Sequence, residues 1–136
     1  MTEKELVRQN ESLRLLRKLF AGEQALELAV LIGSRTQGRI RFDSDWDIAI
    51  QWQAGFELID LLDRTESLRR KIGSLVGLPA SSIDLIGIPG ARLAIRSVIA
   101  EEGLVLKGDE DPAWSRFLLR TWRELEEYYW ETIYAA

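Results

Sequence analysis

The segment LELAVLI, Leu26 to Ile32, is short, apolar on both faces and closed by Gly33. A strand with one wet face alternates between apolar and polar residues. A strand that does not alternate belongs inside a sheet covered on both sides. The chain must therefore fold helices onto a sheet. After a loop from Ser34 to Ser44 comes DWDIAIQW, Asp45 to Trp52, which does alternate. Asp45, Asp47, Ala49 and Gln51 leave one face, and Trp46, Ile48, Ile50 and Trp52 leave the other. The second face is core. The first is a platform that carries two carboxylates.

The remaining segments complete an alternating order. Thr2 to Phe20 reads as a helix, with Thr2 and Glu5 spaced as a capping box, Leu6, Leu13, Leu16 and Phe20 near one face, and Gly22 as its end. Phe56 to Val76 is a second helix, with Leu58, Leu61, Leu62, Leu68, Ile72 and Leu75 as its apolar stripe. Ser82 to Ile88 is a strand with Asp84 inside an otherwise apolar run, stopped by Pro89-Gly90. A helix over Ala91 to Glu102 and a short strand over Gly103 to Lys107 follow. Asp111 as N-cap and Pro112 at the first helical position open a last helix to about Tyr134. No repeat, low-complexity segment or long linker interrupts the 136 residues. The expected fold is α/β (α+β), a single domain over 1–136.

Composition narrows the chemistry. The chain has no cysteine and no histidine. Disulfide frameworks, thiolate nucleophiles, Cys/His zinc sites and histidine bases are therefore excluded. A metal would have to be held by oxygen, which favours a hard cation such as Mg²⁺. The net charge of −4 argues against a protein that coats nucleic acid. Arg35, Arg39 and Arg41 nevertheless make a local positive patch, which suits a small anion. The N-terminus is charged throughout and reads as no signal peptide. No apolar run approaches the roughly 20 residues of a membrane span. A soluble cytoplasmic protein is expected.

Three acids occupy strand positions where neutral or apolar residues are usual. Asp45 and Asp47 leave one face of a strand about 6–7 Å apart at Cα, close enough to converge on one divalent ion or to bracket two. Asp84, on a neighbouring strand, could complete the set. Three carboxylates aimed together repel one another and are tolerated mainly when a cation neutralises them. Gly33-Ser34, at the end of the preceding strand, can offer backbone N–H groups and a hydroxyl to phosphate oxygens. A carboxylate–metal clamp, an anion cradle and basic residues are the parts of phosphoryl or nucleotidyl transfer.

A lone Asp-x-Asp is usually a solvated loop, and a lone Gly-Ser is weaker still. The joint pattern of strand, Gly-Ser, ten residues and two acids on one strand face is what carries the signal. Two rival motifs fail. Gly33 and Gly38 are spaced as in a P-loop, but Arg39-Ile40 replaces the Lys-[Ser/Thr] that follows there. Asp43, Asp45 and Asp47 imitate an EF-hand loop, but Ile48 stands where its glycine belongs and Ala54 where its glutamate belongs.

Gly33-Ser34, ten residues and then Asp45-x-Asp47 resembles the signature of the DNA polymerase β nucleotidyltransferase superfamily. DSDWDIAI, IDLIGI and EEGLVLKGD are similar to its small stand-alone members, the minimal nucleotidyltransferases, over most of the chain. Trp46 departs from that pattern, because small aliphatic residues are more usual between the two acids. It points to the opposite face and should affect packing only.

The resemblance implies a mixed β-sheet flanked by helices. It also implies pairing with a HEPN-domain partner, as in the MntA/HepT toxin–antitoxin systems, where HepT is a ribonuclease toxin. Asp45, Asp47 and Asp84 would be the catalytic and Mg²⁺-binding acids. Gly33, Ser34, Arg35 and Arg39 would hold the phosphates of ATP. The implied activity is AMP transfer to a tyrosine hydroxyl of the toxin in a hetero-oligomer, with no membrane and no direct nucleic acid involved. Two alternatives are an antitoxin that acts by binding alone and a nucleotidyltransferase acting on a small molecule. The second usually needs an additional helical domain.

The last helix adds a separate expectation. Trp114, Phe117, Leu118, Trp122 and Leu125 suit a core, whereas Tyr128, Tyr129, Trp130 and Tyr134 circle the helix and cannot all face one. Aromatics exposed on a charged helix favour a protein interface.

Overall fold

The computed structural model describes residues 2–36 and 43–134. Helix α1 (Glu3–Gly22) leads into strand β1 (Leu26–Ile32), a 3-10 turn (Gly33–Thr36) and strand β2 (Trp46–Trp52). Helix α2 (Leu58–Val76), a short 3-10 turn (Ala80–Ser82) and strand β3 (Ile83–Gly87) follow. Helix α3 (Leu93–Glu102), strand β4 (Leu104–Lys107) and helix α4 (Pro112–Tyr134) complete the order. The sheet is mixed and runs β3-β2-β1-β4. β1 is antiparallel to both β2 and β4, and β2 is parallel to β3.

The two-faced apolar character of β1 has a direct structural cause. Leu26, Ala29 and Leu31 enter one core with Leu16 and Phe20 of α1, Leu68 and Ile72 of α2, and Trp46, Ile48 and Ile50 of β2. Leu28, Val30 and Ile32 enter a second core with Ala49, Ile88, Ile99 of α3 and Phe117 of α4. Helices thus cover the sheet on both sides, and the central strand feeds both layers. Each such aliphatic side chain, fully buried, contributes about 1.5–3 kcal/mol. At the start of α1 the capping box forms: the Glu5 N–H donates to Thr2 Oγ1 at 3.2 Å, and the Thr2 N–H donates to Glu5 Oε2 at 3.0 Å. α4 begins at Pro112, where the proline costs no helical hydrogen bond.

Three packing expectations are corrected. Leu6 is exposed and not part of the α1 core face. In α2 only Leu68 and Ile72 of the six-residue stripe are buried, and Leu58 is 73% exposed. The reason is length. A 19-residue helix spans about 28 Å, longer than the five-residue β3 at about 17 Å, and the exposed stripe residues Leu58 and Leu62 lie in its first two turns, away from the buried Leu68 and Ile72. On α4, Trp122 is 42% exposed where a core position was expected. That helix buries only Ala113, Phe117 and Thr121.

No helix among the described residues is long and apolar enough to cross a membrane.

Candidate active site

Topology gathers the functional segments at one end of the sheet. β1 and β2 are antiparallel, so the end of β1 lies beside the start of β2, and Ile32 pairs with Asp47. β2 and β3 are parallel, so α2 must carry the chain back to the end where β2 began. The start of β3 therefore falls beside the start of β2. In this register Asp47 is the direct partner of Asp84. Adjacent strands lie about 4.8 Å apart, and paired residues share a face. Asp45, two residues before Asp47, precedes the first residue of β2 and is exposed. Asp84 is exposed and Asp47 half-buried. Trp46, between the acids, is buried on the opposite face, as its alternation predicts.

The acids share an electrostatic field. Burial, followed by the neighbouring charges of Asp84 and Asp45, pushes the Asp47 carboxyl up from its ordinary value of 3.8. Among the described residues no lysine or arginine forms an ion pair with Asp47 or Asp84. A like-charged group with no ion-pair partner among the described residues suits a divalent ion held by hard oxygen donors. The described side chains are not drawn into a closed three-ligand cluster.

Gly33 sits against this group. Its φ is +80°, a left-handed conformation that side chains other than glycine rarely adopt. A Cβ at this position would come within 2.5 Å of Asp47 Oδ2. The missing side chain thus leaves room for the carboxylate over the turn. Ser34 follows and is exposed. The Thr36 hydroxyl donates to the Gly33 carbonyl at 2.7 Å and closes the turn.

Arg35 is turned inward. The residue is 5% exposed, and its guanidinium lies over the Trp46 ring at 4.0 Å from the centroid. Nε donates to the carbonyls of Ser44 at 3.1 Å and Asp45 at 3.3 Å, and Nη1 donates to Gln9 Oε1 at 3.1 Å. Burial pulls its pKa down to about 10, against the charges of Asp43 and Asp45, so it remains a cation at neutral pH. In this conformation the guanidinium donates to the chain's own backbone and to Gln9. Arg39, the other arginine expected at the phosphates, lies outside the described residues, as does Arg41. Gln9 was missed by the sequence analysis. Nothing in a polar helical residue 26 positions from its partner signals the contact.

The end of α4 forms a second feature. Tyr129 is 66% and Trp130 57% exposed, and Trp130 stacks on Tyr134 at 4.4 Å between centroids. With Trp122, Leu125 and Ile133 they line a groove of about 520 Å³ against Glu101 of α3.

A sheet end with a Gly-Ser turn, an acid just ahead of one strand, a second acid on that strand and a third on the next is the frame of a nucleotidyl-transfer domain. Residues 15–111 match the family "Polymerase beta, Nucleotidyltransferase", and the chain belongs to that family. No curated protein matches the chain in sequence. Among solved structures it is similar to a chain of a toxin–antitoxin crystal structure with AMP-PNP, with 23% identity over 88% of each chain and a TM-score of 0.62. It is also similar to a chain of a toxin–antitoxin MntA–HepT crystal structure, with 20% identity, 90% of this chain and 88% of that one covered, and a TM-score of 0.56. A third is a structure of tri-AMPylated Shewanella oneidensis HEPN toxin in complex with MNT antitoxin, with 20% identity, 91% and 88% covered, and a TM-score of 0.57. At these identities the likeness is one of fold.

Proposed function

We propose that this chain is an adenylyltransferase antitoxin that moves AMP from ATP to a tyrosine hydroxyl of a cognate HEPN-family ribonuclease toxin, in the cytoplasm. The observation that carries the proposal is the register pairing of Asp47 with Asp84 directly beside the Gly33 turn. The family supplies the reaction class. The solved complexes of similar fold, one with AMP-PNP and one with an AMPylated HEPN toxin, support the choice of nucleotide and partner.

In this proposal Asp45, Asp47 and Asp84 hold Mg²⁺. A hard divalent cation held there would supply Lewis-acid stabilisation of the charge that develops on the phosphate. Gly33 and Ser34 direct N–H groups and a hydroxyl at the phosphate oxygens, with Arg39 adding positive charge nearby. Asp84 accepts the proton of the attacking tyrosine. The tyrosine oxygen forms a bond to the α-phosphorus of ATP as the bond to the pyrophosphate oxygen breaks. A phenol with a pKa near 10 can lose its proton to a carboxylate in such a field without a histidine.

The test is to incubate the protein with ATP, Mg²⁺ and the HEPN protein encoded beside it, and to weigh that protein by intact-mass spectrometry. Gain of one or more AMP masses is expected, and no gain refutes transfer to that partner. One observation also favours a contact role: the aromatic end of α4 is exposed and suits the interface of a hetero-oligomer. Such contact would serve a catalytic antitoxin and a purely binding one alike.

A further inference from the structure

The turn Gly33–Thr36 and the start of β2 face the same site but are joined through residues 37–42. The β1–β2 ladder, with Ile32 opposite Asp47, sets the two strand ends side by side, and a further tie joins the turn to the residues that lead into β2. Arg35 reaches across the gap. It is itself part of the turn, and its guanidinium donates to the backbone carbonyls of Ser44 and Asp45. Gln9 of α1 holds Arg35 from both ends: its Nε2 donates to the Arg35 carbonyl at 2.9 Å, and its Oε1 accepts from Arg35 Nη1 at 3.1 Å. Trp46 gives the guanidinium a buried ring to lie on. A cation this deep is costly unless its donors are satisfied, and these contacts supply acceptors from two residues ahead of β2, Ser44 and Asp45, and from Gln9 of α1.

We infer that Arg35, locked by Gln9, is a positioning residue that sets the distance between the Gly33-Ser34 turn and the Asp45/Asp47 strand, and does not itself hold phosphate. The inference rests on the nucleotidyl-transfer proposal above. Lysine cannot take over the role, because its compact, non-planar ammonium cannot span these separated acceptors while stacking flat on the indole. Gln9 lies on α1 and both of its side-chain hydrogen bonds go to Arg35, so a defect there acts on the turn through Arg35.

The experiment is calorimetric titration of the full chain with Mg²⁺ and a non-hydrolysable ATP analogue, for wild type, Arg35→Lys, Gln9→Leu and Gln9→Glu, with thermal unfolding measured alongside. Gln9→Glu keeps the acceptor for Arg35 and removes the donor to its carbonyl. All three folded variants are expected to bind the analogue on the order of tenfold more weakly, the equivalent of one lost charge-assisted hydrogen bond. Wild-type affinity in both Gln9 variants overturns the inference, even if Arg35→Lys is weakened, because that pattern marks Arg35 as a direct phosphate ligand. Unchanged affinity in all three with a lowered Tm also overturns it, as a stability role alone. No binding by wild type overturns the nucleotidyl-transfer proposal, and the inference with it.

Discussion

Asp47 is the residue on which the site turns, and its charge costs the apo fold something. Its folded pKa lies above the ordinary 3.8, raised by burial and by Asp84 and Asp45. The folded state therefore binds the proton more readily than the unfolded chain. Stability falls as pH rises from about 3.8 through the folded pKa, and the cost is fully present above it. Asp47→Asn removes that term. In metal-free protein the variant should be more stable than wild type at neutral pH, and the difference should close as pH is lowered toward 4; chemical denaturation at a series of pH values checks this. Gly33 carries the complementary constraint. Gly33→Ala would place a methyl group in a left-handed turn and against Asp47 Oδ2. A loss of about 1–2 kcal/mol from the backbone alone is expected, with transfer activity abolished. Most of this was legible in the sequence, because the strand alternation put both acids on one face and the glycine at the end of the previous strand. Arg35 was not. A charged loop residue reads as surface by default, and only the fold brings Ser44, Asp45 and Gln9 to it.

At the scale of elements, periodicity identified every helix and strand but not how far each is covered. β1 was readable as doubly buried because a run apolar on both faces has one explanation. The α2 stripe was over-read, because a 3.6-residue repeat says which face is apolar and not where the sheet beneath it stops. This difference can be measured. Leu68→Ala, fully buried between α2 and the sheet, should lose about 2–5 kcal/mol. Leu62→Ala, on the same apparent stripe but exposed, should stay within about 0.5 kcal/mol of wild type. Denaturant unfolding of the two variants provides the comparison. Trp122 failed as a core residue for a related reason: α4 leaves its buried contacts behind after Thr121.

At the scale of the molecule, the proposal assigns roles to two regions. One end of the sheet holds the acids and the Gly-Ser turn, and the far half of α4 presents aromatic surface. Tyr129→Ala with Trp130→Ala should leave folding stability nearly unchanged, since both side chains are exposed. The pair should weaken association with the HEPN partner by at least tenfold, measured by titration of one protein into the other. The central claim is that the carboxylates at the sheet end perform the transfer. Its most direct test is pyrophosphate released from ATP in the presence of Mg²⁺ and the HEPN partner, counted against AMP gained by that partner, for wild type and Asp47→Asn. Equal amounts of the two products with wild type, and neither with Asp47→Asn, are expected. Undiminished release and transfer by Asp47→Asn would contradict the claim.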